Sequence, residues 1–151
     1  MIEDFPGLQP GDEVVAGGEA WKVTAVLFYQ SSDAEWPAVK LARGTATTWA
    51  ALEGERVIRY DPVSTQVDAE GRARWNGHTY TRDEMGSASI DRVLGDVDVR
   101  PGATLTYQVL RSADDPQSWI SVESWTGGYV EISAGREWVV DRVLHSGERR
   151  P

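Results

Sequence analysis

The sequence predicts an all-β, antiparallel protein: two similar small meanders forming one pseudo-symmetric barrel or sandwich, with little or no helix. Three observations carry this expectation. Apolar residues recur with a period of two, the period of a strand with one face buried. β-branched and aromatic residues dominate the alternating runs. Glycine and proline turn signals separate those runs at short intervals. The chain has 151 residues and no cysteine, a length at which one hydrophobic core is stable without disulfide or metal staples.

The first run covers 21–29. Trp21, Val23, Ala25, Leu27 and Tyr29 alternate with Lys22, Thr24, Val26 and Phe28. Its first half is amphipathic, while its second half is apolar on both sides and reads as a strand entering a two-sided core. Further runs lie at 39–42, 47–52, 56–60, 72–75, 78–82, 89–94, 105–111, 119–123, 129–133 and 137–144. Between them stand Pro10-Gly11, Gly17-Gly18, Glu70-Gly71, Pro101-Gly102, Asp115-Pro116 and Gly127-Gly128. Asn76-Gly77 predicts a type I′ hairpin, because that turn needs φ > 0 at both central residues. Residues 48–56 are the best candidate for a short helix, but Gly54 interrupts them and Val57-Ile58 favours a strand.

A weak self-similarity runs through the chain. Gly18-x-x-Trp21 corresponds to Gly77-x-x-Tyr80 at an offset of 59, and Leu41 to Leu110 at 69. Thr48-Trp49-x-x-Leu52-Glu53 corresponds to Ser118-Trp119-x-x-Val122-Glu123 at 70. The drift is that of an insertion within 85–100. The expected organisation is one β domain over 8–144, built from an internal repeat of 8–62 and 72–144, with a flexible tail at 145–151.

Charge narrows the function. The formal net charge is −9, from 24 acidic and 15 basic side chains, spread over both halves. Nucleic-acid binding rests on clustered Lys and Arg, so no nucleic-acid partner is expected. No basic and apolar leader opens the chain, and the longest uncharged runs are about half a membrane span. The expectation is a cytoplasmic protein that does not itself span a membrane.

No catalytic constellation stands out, and no catalytic residue is assigned. His78 and His145 are read as solvent-facing. Neither a Gly-x-Ser-x-Gly elbow nor a phosphate-cradling glycine loop is present. No metal site and no cofactor is expected. Asp96 and Asp98 flank Val97 and would share one face of a strand; paired carboxylates can bind a cation or raise each other's pKa. Seven tryptophans are the compositional oddity. Trp21, Trp49, Trp119 and Trp138 sit in apolar strand patterns and read as core. Trp36 and Trp125 sit beside turn signals and are the candidates for stacking on a ligand or anchoring a partner. Glu53 and Glu123 close the two Trp-x-x-apolar-Glu strands, as a ligand site or as structural acceptors. The candidate binding set is therefore Trp36, Glu53, Glu123, Trp125 and Tyr129.

Several short motifs carry a family resemblance. In the second half they are Trp75-Asn76-Gly77-His78-Thr79-Tyr80, the segment 88–97, and Ser121-Val122-Glu123-Ser124-Trp125-Thr126-Gly127-Gly128-Tyr129. In the first half they are Pro10-Gly11-Asp12, Gly18-x-x-Trp21-x-Val23, Leu41 and Trp49-x-x-Leu52-Glu53. Over most of 8–143 the chain resembles bacterial proteins carrying the domain of unknown function 4178. It departs from them at 111–118, where the family often has a Tyr-rich, Pro-Pro stretch. That resemblance implies no established activity. It implies an accessory role linked to membrane-stress or polyamine-related gene sets.

The expected function is thus a non-enzymatic binding or scaffold module, acting through protein-partner or small-ligand contacts at an aromatic and acidic surface. An unknown protein partner is expected, and an edge-strand homodimer is a further arrangement that the many short strands permit. The alternative is a carboxylate-dependent hydrolase or lyase acting on a small or glycan substrate through Asp96, Asp98 or Glu123. Carboxylates gathered in a concave pocket with raised pKa would favour the enzyme, and a flat exposed Trp/Tyr patch the protein partner.

Overall fold

A computed structural model describes residues 2–146. These residues are all-β and antiparallel, with a 3-10 turn at Ile2–Gly7 and eleven strands. The first five are β1 (Glu13–Ala16), β2 (Glu19–Gln30), β3 (Glu35–Arg43), β4 (Ala46–Glu53) and β5 (Arg56–Pro62). The next five are β6 (Arg72–Trp75), β7 (His78–Gly95), β8 (Thr104–Arg111), β9 (Ser118–Trp125) and β10 (Val130–Glu137). β11 (Arg142–Leu144) returns to pair with β1.

Each set of five is a meander with the same pairing order, and the two sets join at β5–β10 and at β2–β7. The second junction closes β2, β3, β4, β5, β10, β9, β8 and β7 into an eight-stranded barrel. Closure leaves these strands no long open edge. β2 and β7 each serve two neighbours on one side. β2 pairs with β1 near its start and with β7 over Ala25–Gln30. β7 pairs with β6 over His78–Thr81 and with β2 over Ser89–Gly95. Register shifts between Val23 and Ala25 in β2, and between Arg82 and Glu84 in β7, bend the strands between these partners. β7 runs 18 residues against 12 for β2. The loop after it spans 96–103, against 31–34 after β2. These two differences account for the drift of the sequence offset from 59 to 69.

Alternate residues face the lumen and the outside, and both faces are covered. Outside the first meander, Phe5 and Leu8 pack on Val26, Phe28, Val39, Leu41, Ala50 and Val57, together with Trp21, Val14 and Val140. Burial of an aromatic or aliphatic side chain of this size stabilises by about 1.5–3 kcal/mol. This explains why 21–29 loses its polar alternation: the bulge turns Val26 and Phe28 onto the outer cluster, while Leu27 and Tyr29 face inward. Outside the second meander, Tyr80, Leu110, Ile120 and Val122 are covered by Val63, Val67, Ala73 and Trp75.

Turn chemistry follows the sequence. Asn76 has φ +53° and Gly77 φ +80°, as the type I′ hairpin requires. Gly95 sits where β7 meets Ala25 of β2, at φ +85°. A Cβ there would collide with the Thr24 carbonyl, so the closure of the barrel needs glycine at this point.

Several segments differ from the sequence expectation. The runs 78–82 and 89–94 are parts of one strand, β7, because 84–88 pairs with β8 beyond the bulge at Asp83. The run 137–144 breaks: Glu137 ends β10, 138–141 leaves the sheet, and Arg142–Leu144 forms β11. Ahead of it Trp138 and Val140 turn inward to cap the outer cluster. Residues 48–56 form strand, with a turn at Gly54, and no helix. Asp96 and Asp98 lie on the exposed loop beyond β7, so no strand aligns them on a face. His145, expected to face solvent, rests its Nδ1 3.2 Å from the buried Asp12 carboxylate. Asp12 also accepts the backbone N–H groups of Gln9 (2.9 Å) and Ser146 (2.8 Å). Burial pushes this carboxyl up, but those hydrogen bonds hold it below the ordinary Asp value. Residues 147–151 of the expected tail lie outside the described residues.

Candidate ligand site in the barrel lumen

A cavity of about 1690 Å³ occupies the lumen and its mouth. Its lining includes all five sequence candidates: Trp36 from β3, Glu53 from β4, Glu123 and Trp125 from β9, and Tyr129 at the β9–β10 turn. Tyr129 is 62% exposed and stands at the mouth, whereas the other four are partly buried.

The deep part is set by register. Lys40, Trp49, Tyr60, Gly135, Trp119 and Arg111 are consecutive cross-strand partners on β3, β4, β5, β10, β9 and β8. Gly135 is indispensable here, although its φ is unremarkable. A Cβ would stand 2.5 Å from the Tyr60 ring and 2.9 Å from Trp119 Nε1. Its absence lets the two rings meet over β10. The Trp119 indole N–H donates to the Tyr60 hydroxyl oxygen at 3.5 Å, and that hydroxyl donates to the Glu53 carboxylate. The Arg111 guanidinium lies 5.0 Å from the Trp119 ring centre.

Nearer the mouth, four aromatic rings form a box. Tyr29 stacks on Trp36 with centroids 5.5 Å apart and planes at 12°. Trp125 meets Tyr29 edge-on at 6.3 Å, and Tyr107 meets Trp36 edge-on at 6.4 Å. Gly86 leaves the room that the Tyr107 hydroxyl end occupies. Against this box lie two carboxylates. Tyr107, Glu123 and Glu131 are direct partners across β8, β9 and β10. The Tyr29 hydroxyl reaches across from β2 and donates to Glu123 at 3.3 Å.

The electrostatics follow from burial. The Glu123 carboxyl is raised from 4.5 to about 7. Burial is the main cause and the facing Glu131 charge adds to it. The Tyr29 hydroxyl pulls partly back, as does the Trp125 indole N–H, which lies close without completing a hydrogen bond. Burial also raises Glu131, with Lys40 opposing, and Glu53, with the Tyr60 hydroxyl opposing. Tyr29 and Tyr60 are pushed well above the usual phenol range by burial and by the carboxylates beside them. The lining carries seven acidic side chains against four basic ones, so the cavity as a whole attracts positive charge. Among the described residues, no three His, Asp or Glu side chains converge as metal ligands.

A family model matches residues 9–139 of the 151. The chain belongs to the domain of unknown function family DUF4178. No curated protein and no solved structure matches it. In this DUF4178 chain, Ser121, Glu123 and Trp125 of the Ser121-Val122-Glu123-Ser124-Trp125 segment line the lumen from β9, while Val122 packs outside. Among the described residues no helix is long and apolar enough to cross a membrane.

Tyr29, Tyr60 and Glu131 were missed by sequence reasoning. Tyr29 ends an apolar run and resembles core. Tyr60 ends a strand beside charged residues. Glu131 carried a usable signal: it lies two residues after Tyr129, so on a strand it shares that candidate's face.

Proposed function

We propose that this protein is a non-enzymatic small-ligand module whose barrel lumen takes a small organic ammonium cation. The observation that carries this reading is the aromatic box of Tyr29, Trp36, Tyr107 and Trp125 set against the facing Glu123 and Glu131. A cation over an aromatic face gains about 0.5–2 kcal/mol, more where water is excluded, and a buried carboxylate supplies the counter-charge. The excess of acidic lining favours the same ligand. The family resemblance to polyamine-linked gene sets points the same way, and the absence of cysteine fits a cytoplasmic accessory protein.

The test is tryptophan fluorescence and calorimetry with diaminobutane, spermidine and tetramethylammonium. Saturable binding that Trp36→Ala weakens at least tenfold is expected. No response to any of these amines at millimolar concentration would overturn the cation reading.

A second reading is a carboxylate-dependent hydrolase or lyase. It draws on Glu123, whose carboxyl near 7 suits a general acid or base at neutral pH. Turnover of aryl glycosides that Glu123→Gln abolishes would favour it over simple binding.

A further inference from the structure

We infer that Glu123 and Glu131 hold one proton in common while the lumen is empty, and surrender it when a cationic group takes its place. The exchange rests on the cation reading above, whereas the shared proton stands on the placement of the two side chains alone. Glu123 and Glu131 are direct cross-strand partners on β9 and β10, and both side chains line the lumen. Side chains of such partners start about 5 Å apart, and like charges placed so repel. Among the described residues neither carboxylate forms an ion pair. Two partly buried carboxylates in this position behave as a pair, which lowers its energy by keeping one proton.

The surrounding groups leave that solution intact. Tyr29 on β2 faces the pair as a hydroxyl donor to Glu123. Tyr107 on β8 is the other neighbour of Glu123. Lys40 on β3 is the basic group acting on Glu131, and Glu53 on β4 adds a further negative charge. Tyr60 on β5 is committed to Glu53, and Glu84 on β7 adds another carboxylate to the lumen. Arg111 on β8 lies over Trp119 with its charge matched by Asp83. Lys40 therefore offsets the carboxylates only in part, and protonation relieves the repulsion that remains. An entering ammonium group supplies the same relief, so proton and ligand compete for one place.

The experiment uses the full chain with carbon-13 in its glutamate carboxyls, titrated by NMR without ligand. Two coupled carboxyls are expected, one keeping its proton to near-neutral pH. Glu131→Gln should return Glu123 toward the ordinary carboxylate range, whereas Tyr29→Phe should move it further up. Wild-type carboxyls that all titrate in the ordinary range overturn the shared proton. So does a near-neutral transition that Glu131→Gln leaves unmoved. Calorimetry with diaminobutane, in two buffers of different ionisation enthalpy, then reads the exchange. Release of up to about one proton per site is expected at mildly acidic pH, fading at alkaline pH. An amine that binds without releasing protons overturns the exchange. If no amine binds, the cation reading fails together with the exchange, and the carboxyl titration alone decides the shared proton.

Discussion

Glu123→Gln should stabilise the protein at alkaline pH and do little at acid pH. The Glu123 carboxyl rises from 4.5 to about 7 in the folded chain, chiefly through burial. The folded state therefore keeps a proton that the unfolded chain has already lost between those values. Stability then falls as pH rises through that window and levels off above it. At about 1.4 kcal/mol for each tenfold change in proton affinity, the full cost is about 3 kcal/mol. This is an upper bound, because Glu131 titrates with Glu123 and shares the cost. Glutamine is isosteric, keeps an acceptor for the Tyr29 hydroxyl and cannot ionise. Urea unfolding of both proteins at about pH 5 and about pH 8 reads the effect. The variant should gain up to about 3 kcal/mol over wild type at the higher pH, or about 6–12 °C in melting temperature. At the lower pH, just inside the window, the difference should shrink to about 0.8 kcal/mol or less. Parallel pH profiles for the two would show that Glu123 ionises freely in the fold, and the account of the lumen would fail with it.

Three further outcomes follow from the same geometry. Gly135→Ala should cost about 1–3 kcal/mol by overpacking. It should also part Tyr60 from Trp119, seen as a change in near-ultraviolet circular dichroism, and an unchanged spectrum would contradict the close ring contact. Gly95→Ala should cost about 2 kcal/mol or more, because it combines φ +85° with a collision against the Thr24 carbonyl. Hydrogen exchange should then quicken first along β2 and β7. Asp12→Ala should cost about 1–3 kcal/mol at neutral pH, by stranding the N–H groups of Gln9 and Ser146. Since the Asp12 carboxyl lies below its ordinary 3.8, its contribution is present above that value and lost as pH falls through the folded-state value. A wild-type advantage that persists undiminished in strong acid would refute the assignment.

Much of the fold was legible because strand alternation and turn chemistry are local. Asn76-Gly77 specifies its turn through the φ of two adjacent residues, and no distant contact is needed. The failures share a cause. The run 137–144 alternates like a strand, yet Trp138 and Val140 leave the sheet to cover a cluster built from other segments. Asp96 and Asp98 alternate as a strand would, but β7 has already ended at Gly95. At the candidate site, tryptophans beside turns and acids ending strands were the usable signals. Tyr29 and Tyr60 gave none, since a tyrosine in an apolar run reads the same whether its hydroxyl meets a carboxylate or solvent.

The sequence by itself determined that this chain pleats, where it turns, and that its charge repels polyanions, since these depend on neighbouring residues and on simple sums. Only the tertiary structure decided that Glu123 faces Glu131, that Tyr29 reaches Glu123 across 94 residues, and that Gly135 makes room for two rings. Those relations come from the closure of β2 against β7 and the register of β9 on β10. Register is a cooperative property of whole strands, and a slip of one residue would turn every one of these side chains to the opposite face.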